Sequence, residues 1–176
     1  MRMKFEDVDV ISPVLFPTEQ WNEAEVFGAI TLIWFLSENC KNSTISDRAM
    51  SVLPVIKSRQ FALFSRDAQP IAYISWANLD EKSEAEYIDS EPWIYSQQNW
   101  NCGDRMWLIN WFAPLGQSAL IKRLIEKNLF PEQCFRALYH KGAVRGLKVM
   151  TFHGKSVSKT AAKDWINQHP ILAKTH

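Results

Sequence analysis

Apolar residues in the stretch Glu23 to Leu36 fall at Val26, Phe27, Ile30, Ile33 and Trp34, and this spacing predicts a helix buried on a broad face. Asp47 to Lys57 reads as a second helix, with Ser46 as its N-cap and Pro54 as a kink or an end. The polar run Ser37 to Ser46 between them reads as a loop. From Phe61 to Trp76 two β-rich runs, FALF and IAYISW, flank a turn carrying Asp67 and Pro70, the pattern of a hairpin. Glu81 to Ile88 is a short acidic helix or a loop, with Glu84 expected to be exposed. Met106 to Ala113 reads as a strongly apolar strand closed by Pro114 and Gly116. A helix from Ser118 to Lys127 should follow, with Leu120, Ile121, Leu124 and Ile125 on one face. Two short strands, Cys134 to His140 and Leu147 to Phe152, and a terminal helix, Ala161 to Asn167, complete the pattern. The order predicts a mixed α/β or α+β domain, one domain over residues 1–176.

Composition supports that picture. A chain of 176 residues, 47% hydrophobic and with eight Trp, can enclose a core without metal or disulfide support. Its net charge of +1 argues against a general nucleic-acid binder. The charge is uneven, however: seven Lys/Arg and one acid lie between Lys141 and His176, a basic surface able to meet an acidic macromolecule. Cys40, Cys102 and Cys134 form neither a disulfide framework nor a zinc pattern, so a reducing cytoplasm is the expected compartment. The acids in MRMKFEDVDV do not suit a signal peptide, and no apolar run approaches the length of a membrane span.

Catalytic motifs of the common kinds are missing. The sequence contains no GxSxG, GxxxxGK[ST] or GxGxxG, and the four histidines have no metal-ligand spacing, so no metal and no bound cofactor are expected. Two residues stand out against the packing pattern. Alternation along the strand puts Asn110 on the same face as Met106, Leu108 and Phe112, where an amide needs partners. Cys40 sits in the polar loop beside Lys41, which can favour its thiolate.

The strings VLPVI (Val52 to Ile56), Arg66-Asp67, SWANL (Ser75 to Leu79), GDRMWLINWFAPLG (Gly103 to Gly116), FPEQCFRAL (Phe130 to Leu138) and FHGK (Phe152 to Lys155) resemble the haemolysin-activating lysine acyltransferases of RTX toxin operons. The likeness runs from about Val26 to about Ile166 in the family's order and spacing. It implies a cytoplasmic enzyme that moves a fatty acyl group from acyl-ACP, a phosphopantetheine thioester, onto internal lysines of an RTX-type protoxin or related secreted protein. It also implies a fold like that of the GNAT acetyltransferases, a mixed sheet flanked by helices, and it makes a homodimer an open alternative.

The resemblance carries the family's catalytic positions onto this chain with substitutions. Its histidine stands in a pattern like SxxH, and Ser37-Glu38-Asn39-Cys40 puts cysteine there. Its aspartate stands in WxxDWxAP, and the stretch Trp107 to Pro114 puts Asn110 there. A lysine ammonium, with a pKa of about 10.4, must lose a proton before it attacks a thioester, and a His/Asp pair suits that task. Cysteine and asparagine cannot copy it. Cys40 could instead accept the acyl group, and Asn110 could orient a neighbour or donate to an oxyanion. Ser37 belongs to the same pattern, and His153 is the candidate base for Cys40. The expected ACP-facing surface comprises Lys122, Arg123, Arg136, Arg145 and Lys148, and Leu108 with Phe112 would line the acyl channel. The alternative is a pseudoenzyme that binds ACP or protoxin as a regulatory partner.

Overall fold

A computed structural model describes residues 2–37, 44–89, 100–141 and 144–171, excluding the side chains at 48, 140, 141 and 144–147. The elements are β1 (Met3–Phe5), β2 (Val8–Ile11), α1 (Glu23–Phe35), α2 (Ile45–Ser58), β3 (Phe61–Arg66), β4 (Gln69–Leu79), α3 (Glu81–Asp89), β5 (Arg105–Phe112), α4 (Ser118–Leu124), β6 (Cys134–Lys141), β7 (Val144–His153) and α5 (Lys159–Gln168). The seven strands form one sheet in chain order. β1 to β4 pair antiparallel, as do β6 and β7, whereas β5 and β6 run parallel with α4 in the crossover between them. This mixed α+β sheet is the architecture expected from the sequence and is consistent with a GNAT-like fold.

The described residues cluster into two compact units, one within Met1–Ser75 and Asn110–Ile125, the other within Trp76–Ile109 and Glu126–His176. In the first unit, α1 buries Val26, Ile30, Ile33 and Trp34, the stripe that the periodicity predicts. Asn22 caps it, its Oδ1 accepting from the N–H groups of Ala24 and Glu25 at 3.1 and 3.2 Å. The cap of α2 is Thr44 and not Ser46. Thr44 and Asp47 form a capping box, which starts the helix before the position that the apolar pattern marks. The helix then runs through Pro54 to Ser58. Proline removes one backbone donor, but Val52, Val55 and Ile56 are buried around it, and their packing holds the helix together.

β3 and β4 form the expected hairpin, closed by two residues at positive φ, Asp67 (49°) and Ala68 (62°). β1 and β2 have no counterpart in the sequence reading. They are three and four residues long and are held by pairing, Val10 opposite Phe64.

After α4, Ile125–Leu129 forms a π-helical turn where the sequence reading continues an α-helix. The turn buries Leu129 and Glu126, and Lys155 lies 3.4 Å from the Glu126 carboxylate. The glycine of FHGK is sterically required, since a Cβ at Gly154 would run into the carbonyl oxygens of Phe130 and Pro131. Glu84, expected on the surface, is only 2% exposed. Its carboxylate accepts from Arg105 Nη1 at 2.6 Å, Trp107 Nε1 at 2.8 Å and Arg136 Nη1 at 2.6 Å. Both guanidinium groups continue to the end of α5, Arg105 donating to the Pro170 carbonyl and Arg136 to that of His169. A charge inside a protein survives only if paired and fully hydrogen-bonded, and this cluster meets that demand for Glu84.

Candidate active site

The polar centre of the first unit is built on two strands. Tyr73 and Ser75 are two residues apart on β4, so their side chains share a face, and both are fully buried. Asn110 on β5 meets them, with its amide 2.7 Å from Ser75 Oγ. The amide that the alternation singles out is therefore half-buried and held by a side chain 35 positions away. Burial pushes the Tyr73 phenol well above its ordinary value, and the nearby polar groups of Ser75 and Asn110 offset this only in part. The phenol thus stays protonated and remains a donor across the physiological range. Its oxygen has no hydrogen-bond partner among the described residues.

Two residues past Asn110, Phe112 is half-buried and packs against Trp34 from the last turns of α1, ring centres 5.8 Å apart. Ser37 lies two residues past the end of α1, half-buried, its N–H bonded to the Trp34 carbonyl at 3.0 Å. Cys40 and Lys41 lie outside the described residues, as does the Arg145 side chain.

The other thiols have structural surroundings. Cys102 Sγ lies 3.3 Å from the Asp80 N–H and 3.5 Å from Ser83 Oγ, within the contacts that start α3. Burial raises the Cys134 thiol above its ordinary value, which lowers its thiolate fraction. His153 pairs with Cys134 across β6 and β7, and its Nδ1 lies 3.0 Å from the Gly154 carbonyl. A carbonyl only accepts, so Nδ1 is the ring atom that donates there. Leu108 is buried in the second unit, 2% exposed.

Of the basic residues, Lys122, Arg123 and Lys148 are exposed, with Arg123 paired to Glu6 at 2.6 Å and Lys148 over the Tyr139 ring. Arg136 is a correction. At 2% exposure, paired with Glu84 and with its guanidinium 4.8 Å from the Trp165 ring, it belongs to the core and cannot face a partner. Tyr73 and Glu84 escaped the sequence reading. Tyr73 leaves a detectable trace, a hydroxyl alternating with Ser75 on one face of an otherwise apolar run. Among the described residues no cluster of His, Cys, Asp and Glu could hold a metal, and no helix is long and apolar enough to cross a membrane.

Comparison with known proteins bears on this site. The protein-lysine myristoyltransferase HlyC of Escherichia coli is 35% identical over 148 residues, 84% of this chain and 86% of that protein. The leukotoxin-activating lysine-acyltransferase LtxC of Aggregatibacter actinomycetemcomitans is 37% identical over 153 residues, 86% of this chain and 89% of that one. The RTX-I toxin-activating lysine-acyltransferase ApxIC of Actinobacillus pleuropneumoniae is 36% identical over 148 residues, covering 84% and 85%. Residues 19–153, which include α1, the β3–β4 hairpin and the Tyr73, Ser75 and Asn110 cluster, match the family described as RTX toxin acyltransferase, and it is to this family that the chain belongs.

Proposed function

We propose that this chain is a protein-lysine acyltransferase that takes a fatty acyl group from acyl-ACP and attaches it to internal lysines of an RTX-type protoxin. One observation carries the reading. The family match spans the polar cluster at Asn110, and a bonded amide occupies the position where the resemblance expects the catalytic aspartate. Because acyl-ACP is an intracellular donor, the reaction belongs in the cytoplasm. The exposed Lys122, Arg123 and Lys148 offer positive charge to a strongly acidic carrier.

In this reading Cys40 replaces the family's base by a nucleophile. Its thiolate attacks the acyl-pantetheine carbonyl. A new C–S bond forms to Cys40, the C–S bond to pantetheine breaks, and the pantetheine thiolate leaves and takes up a proton. A deprotonated target lysine then attacks the acyl-enzyme. A C–N bond forms, the Cys40 thiolate is released, and the remaining ammonium proton passes to solvent. Exchange of one thioester for another is nearly isoenergetic, so the first step needs positioning and a thiolate, not a strong driving force. Asn110 contributes an amide to the carbonyl that becomes an oxyanion in both steps.

Intact-mass measurement after incubation with myristoyl-ACP tests this. The expected result is a hydroxylamine-labile adduct on the enzyme and, when protoxin is added, a hydroxylamine-stable one on protoxin lysines. Cys40→Ala should remove both, whereas Cys102→Ala and Cys134→Ala keep both. Full transfer by Cys40→Ala would exclude the nucleophile. Neither adduct nor product from the unmodified chain would favour a pseudoenzyme that binds ACP or protoxin without turnover.

A further inference from the structure

Ser75 lies on β4 opposite Phe61 of β3, and both residues are fully buried, so pairing and packing fix the serine in place. Ile71, Ala72 and Ile74 before it on the strand are apolar and buried, and a hydroxyl in such a run is costly unless it has a partner. The partner is Asn110, half-buried on β5, whose Nδ2 donates to Ser75 Oγ at 2.7 Å. That length is at the short end for an N–H···O bond, and shelter from water strengthens it further. An asparagine amide carries two N–H donors and one carbonyl oxygen, and its terminal torsion is soft. The bond to Ser75 takes one of those donors and fixes the amide plane. The second N–H is left for a further acceptor.

We infer that Ser75 is a positioning residue for acyl transfer: its oxygen takes up one N–H of Asn110 and so aims the other at the carbonyl oxygen of the acyl thioester. This deepens the acyltransferase reading and rests on it for the role of the second N–H. Ser75 touches neither acyl donor nor target lysine and acts only through Asn110. When a nucleophile bonds to the acyl carbon, the π electrons of the carbonyl move to its oxygen, and an N–H already in place stabilises that charge without reorganising. On collapse the C=O bond re-forms, and the C–S bond breaks with its electron pair leaving on sulfur. The same hydroxyl would donate to a carboxylate at position 110, because a serine gives or accepts a bond as its partner requires.

Two measurements test this, one independent of catalysis. In 13C,15N-labelled protein, with the Asn110 side chain assigned by its loss in Asn110→Asp, Ser75→Ala should move one of the two NH2 protons upfield and leave the carbonyl carbon nearly in place. A displaced carbonyl carbon with both protons unmoved overturns the bond. In transfer from myristoyl-ACP to protoxin, Ser75→Ala should lower kcat about tenfold with KM for the donor unchanged. In the Asn110→Ala background the same substitution should change kcat by less than about twofold, since the group it positions is gone. A tenfold fall in both backgrounds, or none in either, overturns the positioning role. Ser75→Cys keeps the shape with a weaker acceptor and should give the same proton shift and the same fall in kcat, so it decides the matter where Ser75→Ala fails to fold. An inactive unmodified chain that keeps the proton response overturns the acyltransferase reading, and the role of the second N–H with it, while the bond from Asn110 to Ser75 stands.

Discussion

An amide where the family's pattern has a carboxylate exchanges a charge for a neutral donor, and the consequences can be separated by substitution. Asn110→Ala removes the donor and should slow acyl loading and lysine transfer alike by about a hundredfold, with the acyl adduct on Cys40 still formed at long times, as read by single-turnover kinetics against intact mass. Cys40→His with Asn110→Asp restores the pair that the resemblance implies. It should support transfer without any hydroxylamine-labile enzyme adduct, a result neither single substitution should give. Asn110 was legible in the sequence because strand alternation exposes an amide on an apolar face. Arg136 and Glu84 were not, since a charged residue in a strand or an acidic helix reads as surface until its partner is known. Here the partners are 52 positions apart and meet only in the folded chain.

At the scale of elements, packing periodicity carried most of the reading. α1, the hairpin, β5, β6 and α5 lie where their apolar spacing puts them, with ends shifted by three residues at most. What escaped depends on partners or on local hydrogen bonds. β1 and β2 are too short to show a period and exist through pairing with β3, and the start of α2 is set by the Thr44 and Asp47 box rather than by its apolar face. The hairpin turn offers a clean test. Ala68 holds φ at 62°, a region that costs a residue with a Cβ about 1–2 kcal/mol, part of which glycine returns through its freer unfolded chain. Ala68→Gly should therefore raise stability by about 0.5 kcal/mol, seen as a higher urea midpoint at unchanged slope.

For the whole molecule, acid is the expected weakness. The Ser83 N–H, donating at 2.7 Å, holds the Asp80 carboxyl below its ordinary range, and the His169 ring does the same for Asp104. Carboxyls lowered on folding stabilise the native state above their unfolded pKa, and that contribution is lost as pH falls through the lowered values. Tm should be flat near neutrality and fall below about pH 4, and Asp80→Asn should shallow that fall. The Glu84 cluster predicts a larger effect. Glu84→Ala leaves two buried guanidinium groups without their common anion and should cost about 3–5 kcal/mol in urea denaturation. Composition foretold a core of this size, but not that an ion cluster lies within it. That cluster also orders the paths by which such a sequence can drift. Losing the acid first passes through a destabilised intermediate that selection would remove, whereas trading an arginine first leaves Glu84 still bonded to the other guanidinium and to Trp107. Descendants that have abandoned the cluster should therefore have lost an arginine before the glutamate, and chains that keep the glutamate should tolerate more change in α5 than chains that have lost it.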